Sequence, residues 1–225
     1  MKNCLIIKLI LFLAVLGVKA QTTCSNYYPF EEGTTFQITL YDEKDKTVGV
    51  LDYLVKEAND NTATFAYEMH DDKGKMITAS EYGITCTADG VSIDFKSLAA
   101  PGITEQYKDM EMEMTGTDLI LPNNLSVGQT LPDSEMLMTV RMAPINMKMN
   151  TNVFNRKVEG RESLTTPAGT FDCFVISFDT EAKMGFKVSS SGKLWLAEGV
   201  GMVKQESYNK KGKLTGISLL TAFNK

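Results

Sequence analysis

Few residues in this chain could do chemistry. His70 is the only histidine, which excludes HExxH zinc sites and multi-histidine clusters. Lying between "YEM" and "DDKG", it is expected at a strand end near solvent. No serine sits in a GxSxG elbow, and a Cys–His nucleophile would have to recruit His70 from across the fold. Glu111 and Glu113 have the residue type for two-carboxylate glycosidase chemistry. In "MEMEM", however, they share one strand face and read as its wet side. A carboxylate-dependent hydrolase is therefore only a distant alternative; no catalytic, cofactor-binding or metal residue and no cofactor is assigned.

The glycine-containing stretches are read as turns. "EGVGM" lacks both the spacing and the following helix of a dinucleotide loop, and no P-loop is present. In "TPAGTFDC", Pro167 and Gly169 make a turn that launches the strand "TFDCFVISF", with the glycine free to adopt angles closed to larger residues.

Methionine is the unusual component. Eight of the 13 fall in the middle of the chain. Met110, Met112 and Met114 alternate with glutamate, Met136 and Met138 flank Leu137, Met147 and Met149 flank Lys148, and Met142 lies between the last two groups. Period two puts each group on one strand face. Such a face could be adaptable core filling, a malleable wall for a lipid-like or peptide ligand, or an MxM thioether site for Cu(I). Trp195, in "KLWLAEGVG", fits strand packing better than a sugar platform. The binding reading takes Met110, Met112, Met114, Met136, Met138, Met147, Met149 and Trp195 as candidate ligand-lining residues.

The elements that must position these residues are strands. Thr, Val, Ile and aromatic runs are separated by Gly, Asn, Asp and Pro, the pattern of antiparallel β structure. Charged turns are expected at "DEKDK", "DDKG" and "NKKGK", and another turn at "ADG". "KSLAAPGITEQYKD" is the least strand-like segment, Pro122 and Pro132 punctuate a loop, and residues 146–164 suit a long strand or a bent pair. No linker divides the chain and no repeat is evident, so one domain is expected.

Residues 1–20 have the order of a cleavable signal peptide: Lys2 and Lys8, an apolar run from Leu9 to Val18, then small Ala20. The run is too short for a comfortable membrane span, and residues 21–225 would form the mature domain, with no transmembrane segment. "QTT" before Cys24 is a poor lipobox, so a periplasmic or extracellular soluble product is expected rather than a lipoprotein. Loss of Lys2, Lys8 and Lys19 would take the formal charge from −5 to −8, which argues against nucleic acid and anionic headgroups as partners. Cys24, Cys86 and Cys173 remain. One disulfide and one free thiol is the simplest outcome in an oxidising compartment, with all three pairings open, and Cys173 reads as a small buried hydrophobe.

"CSNYYPFEEGT", "LPDSEM", "NRKVEGRESLTTPAGTFDCFVIS" and "KLWLAEGVGMVKQESYNKKGKLTGISLLTAF" together resemble the DUF3108-like exported proteins of Bacteroides-type bacteria. The resemblance implies an all-β, antiparallel spiral β-roll or barrel-like domain over residues 21–225, with a β-sandwich as the alternative. It brings no catalytic set. Its recurrent positions, Tyr28, Pro29, Gly33, Pro167, Gly169, Phe171, Trp195, Gly199, Gly201 and Lys204, suit turns and packing. Likeness to lipid-carrying roll proteins of the envelope suggests non-catalytic binding of a hydrophobic molecule or an envelope protein. A structural or assembly protein without a pocket is the alternative.

Overall fold

The computed structural model describes residues 24–99, 102–142 and 145–225; the expected signal peptide lies outside them. Alternating patterns become thirteen strands: β1 (Thr35–Asp42), β2 (Thr47–Ala58), β3 (Thr62–Asp71), β4 (Met76–Cys86), β5 (Gly90–Ile93), β6 (Glu111–Thr117), β7 (Leu119–Pro122), β8 (Ser134–Met142), β9 (Ile145–Thr166), β10 (Gly169–Met184), β11 (Phe186–Ala197), β12 (Gly201–Asn209) and β13 (Leu214–Asn224). The least strand-like segment contains a 3-10 turn at Phe95–Leu98 and a one-turn helix at Ile103–Gln106.

All the strands join one antiparallel sheet in the order β6-β8-β9-β10-β11-β12-β13-β1-β2-β3-β4-β5-β7. The sheet curls into a nearly closed barrel. Two facing sheets would be needed for the β-sandwich alternative, and only one is formed. β13 pairs with β1, Leu219 opposite Thr39, which ties the two halves of the chain together. The edges are β6 and β7, neighbours in sequence placed at opposite ends of the strand order.

An open edge exposes unpaired backbone groups, and side chains cover part of this one. Ser134 donates its hydroxyl to Thr117 O at 2.6 Å. The guanidinium Nη1 of Arg156, on β9, donates to Ile120 O at 3.0 Å and Pro132 O at 2.7 Å. A buried cation thus bonds edge strand β7 to the loop before β8.

Rolling buries parts of the sheet on both faces. Four consecutive β10 residues, Cys173–Ile176, are buried. Phe174 and Ile176 pack with Val55, Phe65, Ile84 and Leu196. Cys173 and Val175 pack with Ile38, Leu51, Trp195 and Val203. The continuous apolar run in "CFVI" is the sequence signature of a strand covered on two sides.

Turn chemistry sets the register. At the β1–β2, β3–β4 and β12–β13 hairpins, Asp42, Asp71 and Asn209 each accept backbone N–H groups two and four residues on. Asp45, Gly74 and Gly212 occupy the left-handed position, with φ of 60°, 79° and 75°, which Gly and Asp tolerate best. "TPAG" is the tight hairpin joining β9 to β10: Thr166 pairs with Gly169, and the Thr166 hydroxyl accepts from Ala168 N at 3.1 Å.

The segment before β1 lies across the other end of the barrel. A Cys24–Cys86 disulfide fastens it to the end of β4. Asn26 bonds Asn123 through two contacts of 2.8 and 3.0 Å and accepts from Gly199 N at 2.8 Å. Tyr27, only 1% exposed, meets Phe174 edge to face. The "NYYPF" aromatics are packing residues.

Candidate functional site

His70 lies near the end of β3, its Nδ1 3.5 Å from Asp52 and its Nε2 3.9 Å from Glu68. The free Cys173 thiol is buried on β10, and burial, with Asp172 and Glu162 nearby, pushes its pKa up to about 11. That holds it as an inert thiol at neutral pH. Glu111 and Glu113 are exposed on one face of β6, and both contact Arg141, at 3.4 and 3.5 Å. Among the described residues, no group of three His, Cys, Asp or Glu side chains is placed to hold a metal ion.

The methionines converge on one another. Met138, fully buried, and Met149 pack with Val140 and are flanked by Met112, Met114, Met147, Ile103 and Tyr107. Met136 is buried and Met110 is exposed just ahead of β6. The cross-strand pairs Met114–Met138 and Met138–Met149 run β6–β8–β9, so the period-two spacing does bring thioethers onto one surface. Trp195 is 6% exposed; its indole N–H donates to Glu162 at 2.8 Å, and Lys204 Nζ lies 4.8 Å from the ring centre. It is a packed residue with a satisfied donor, as expected of a buried tryptophan.

The candidate space lies elsewhere, inside the roll, next to a larger and more open groove of about 730 Å³ across β13, β1, β2, β3 and β4. A cavity of about 340 Å³ is lined by Phe36 of β1, Tyr53 of β2, Tyr82 of β4, Leu119 of β7, Arg156 of β9, Ile176 and Phe178 of β10, Leu194 of β11, Gln205 of β12 and Tyr28 of the N-terminal segment, with neighbours. None of the eight residues singled out as candidate lining is among them. The size falls within the roughly 300–1,000 Å³ usual for small-molecule sites. Rings frame it: Phe36 stacks on Tyr53 at 4.6 Å, Phe65 on Tyr82 at 5.6 Å, and Tyr28 meets Phe65 edge to face at 6.1 Å.

Arg156, Gln205, Ser97 and the tyrosines are the polar residues of the lining, and no aspartate or glutamate is among them. Burial pushes the Tyr28 phenol up to about 12 and raises those of Tyr53 and Tyr82. Arg156 is 4% exposed, and burial lowers its pKa from a high ordinary value, opposed by Tyr28 and Asp133. Among the described residues its two side-chain hydrogen bonds both come from Nη1, one arm of a planar fork with five N–H donors. An apolar box with one cationic corner can hold an amphiphile; it has no assembled acid–base pair. Sequence reasoning missed it because its rings come from scattered strands, although "NYYPF" and the lone arginine in "NVFNRKV" were visible.

The fold and this interior define a rolled antiparallel β protein with a central cavity. By sequence it matches the DUF3108-like family over residues 31–220; the chain belongs to that family. A Bacteroides fragilis protein described as exported, with a YmcC-like fold, has TM-score 0.73 and 21% identity, covering 90% of this chain and 100% of that one. A Parabacteroides distasonis protein described as a lipoprotein gives 0.73 and 21%, covering 89% and 99%. At such identities the likeness shows the fold. No curated protein matches the chain, and no described helix is long and apolar enough to cross a membrane.

Proposed function

We propose that this is an exported, non-catalytic binding protein that holds a hydrophobic small molecule inside the roll. The observation behind the reading is the aromatic-walled cavity with the buried Arg156 as its cationic corner. An apolar chain would lie against Phe36, Tyr53, Tyr82 and Phe178, and a polar head would face Arg156. Export to the periplasm or beyond is supported by the Cys24–Cys86 disulfide, a bond that persists in oxidising compartments. A Cys24 sulfur held in that bond cannot also carry a lipid thioether, which favours a soluble mature form.

The test is mass spectrometry of mature protein purified without detergent, native and after organic extraction, followed by titration with dodecanoate and dodecan-1-ol. Stoichiometric apolar cargo, or saturable binding of either probe, supports the reading. Failure to carry cargo and to bind either probe overturns it in favour of a filled structural protein. Dodecanoate binding roughly tenfold tighter than the alcohol would place the head at Arg156, since charge-assisted hydrogen bonds are the stronger ones.

A further inference from the structure

Net charge conceals an asymmetry in this molecule. In an antiparallel sheet successive hairpin tips alternate between the two ends of the strands, so the β1–β2, β3–β4, β10–β11 and β12–β13 tips share one end with the last residues of β8 and the first of β9 and β6. Contacts join three of these tips: Lys46 of β1–β2 lies 3.6 Å from Asp72 of β3–β4, and Lys213 of β12–β13 lies 3.0 Å from Glu43 of β1–β2. The four stretches 42–48, 71–77, 183–188 and 209–213 contain nine lysines against five carboxylates, in a chain of formal charge −5. Glu181 pairs with Lys187 from just outside them.

The same end is also apolar. Among the described residues, six of the nine exposed large hydrophobic side chains lie in those stretches: Val48, Met76, Ile77, Met184, Phe186 and Val188. Phe186 is 71% exposed. β11 leaves β12 at Ser190–Asn209, while the β10–β11 hairpin continues to Met184–Phe186. It therefore extends past the β12–β13 tip as a finger still paired on its other side with β9, Met184 opposite Met149, and carries Met184 and Phe186 at its end with Lys183 and Lys187 beside them.

We propose that this end docks on an anionic phospholipid surface, with Met184, Phe186 and Val188 entering the interface and the surrounding lysines at headgroup level. Apolar side chains on separate protruding tips suit a soft, planar, deformable partner, whereas a folded acidic protein would need a matching concave surface. Long lysine stems can keep the charge in the headgroup layer while their methylenes follow the apolar residues inward, and the basic end answers the negative charge of such a surface. Outside the four stretches the chain is net acidic; Glu111 and Glu113, which lie at this same end on β6, are paired with Arg141. This surface is independent of the cavity; the two can fail separately.

The experiment is co-sedimentation of the mature protein with phosphatidylcholine vesicles, with and without phosphatidylglycerol, at low and high salt. Binding is expected only with phosphatidylglycerol, weakening with salt as screening grows. The surface variants Met184→Ser/Phe186→Ser and Lys210→Glu/Lys211→Glu should each lower partitioning by roughly tenfold or more, because interfacial binding scales with apolar area and electrostatic attraction. Absence of sedimentation overturns the proposal, as does equal binding to both vesicle types or binding unchanged in both variants. Loss of a crosslinked envelope protein in the finger variant, without vesicle binding by the wild type, overturns it in favour of a protein partner.

Discussion

Two interiors in this molecule are built from different side chains. The cavity is walled by stiff rings from Phe36, Tyr53, Tyr82 and Phe178. The β6–β8–β9 seam is filled by Met112, Met114, Met138, Met147 and Met149. Rings have few internal torsions and fixed shapes, so rings meeting edge to face cannot fill every gap between curved strands. An unbranched thioether turns until it finds contacts. Side-chain adaptability, which suggests a ligand wall when read along the sequence, here lets the methionines pack against one another.

The largest effect should come from removing a ring behind the cavity. Phe65 is fully buried and touches Tyr28, Phe36 and Tyr82. Phe65→Ala should cost about 3–5 kcal/mol in urea unfolding, the usual loss for a buried aromatic truncation. A cost below about 2 kcal/mol would mean that the neighbouring rings close over the gap, and the contrast with the methionine seam would break.

Next is the N-terminal segment that brings Tyr27 and Tyr28 to these rings. The double variant Cys24→Ser/Cys86→Ser opens a cross-link spanning 62 residues and should lower stability by about 2–4 kcal/mol. Hydrogen exchange should quicken around Gly199, which donates to Asn26 O, while the amides of β8 and β9 in the seam keep their protection. Uniform loss of protection across both regions would show that they unfold as one unit.

Alkali should separate the two regions through the tyrosines. Burial raises the Tyr28 phenol from 10.0 to about 12, so the folded state holds this proton more tightly than the unfolded chain. Its stabilisation is fully present below pH 10 and is lost as the pH climbs toward about 12. Tyr53 and Tyr82 act in the same direction. Tyrosinate absorbance should therefore rise cooperatively with unfolding across that window. Smooth titration of all tyrosines in a folded protein would show that water reaches the cavity freely.

How much of this was legible in the sequence depends on the range of the interaction. "DEKDK", "DDKG", "NKKGK" and "TPAG" encode their turns locally, through side chains that bond their own backbone, and each forms the expected hairpin connection. The alternation in residues 146–164 becomes the long strand β9. The resemblance supplied the rolled architecture, because both a roll and a sandwich produce the same alternation. The cavity depends on which strands curl to face each other across more than a hundred residues, as with Tyr28 and Arg156, and no local spacing encodes that meeting. Charge was legible only as a sum: the basic end emerges when four separate hairpins are placed side by side.

The smallest effect gives the sharpest comparison. Met138 is fully buried between Met114 and Met149 across the strands, yet Met138→Leu should cost less than about 1.5 kcal/mol, since the swap conserves volume and the neighbouring thioethers can turn to follow the new shape. If so, the thioethers serve as adaptable filling, and probe binding should be unchanged in the variant. A larger loss would mean that the seam is as tightly specified as the ring cluster. Unchanged stability with weakened dodecanoate binding would be the more informative failure, because it would return the methionines to the ligand wall and move the site from the cavity to the seam.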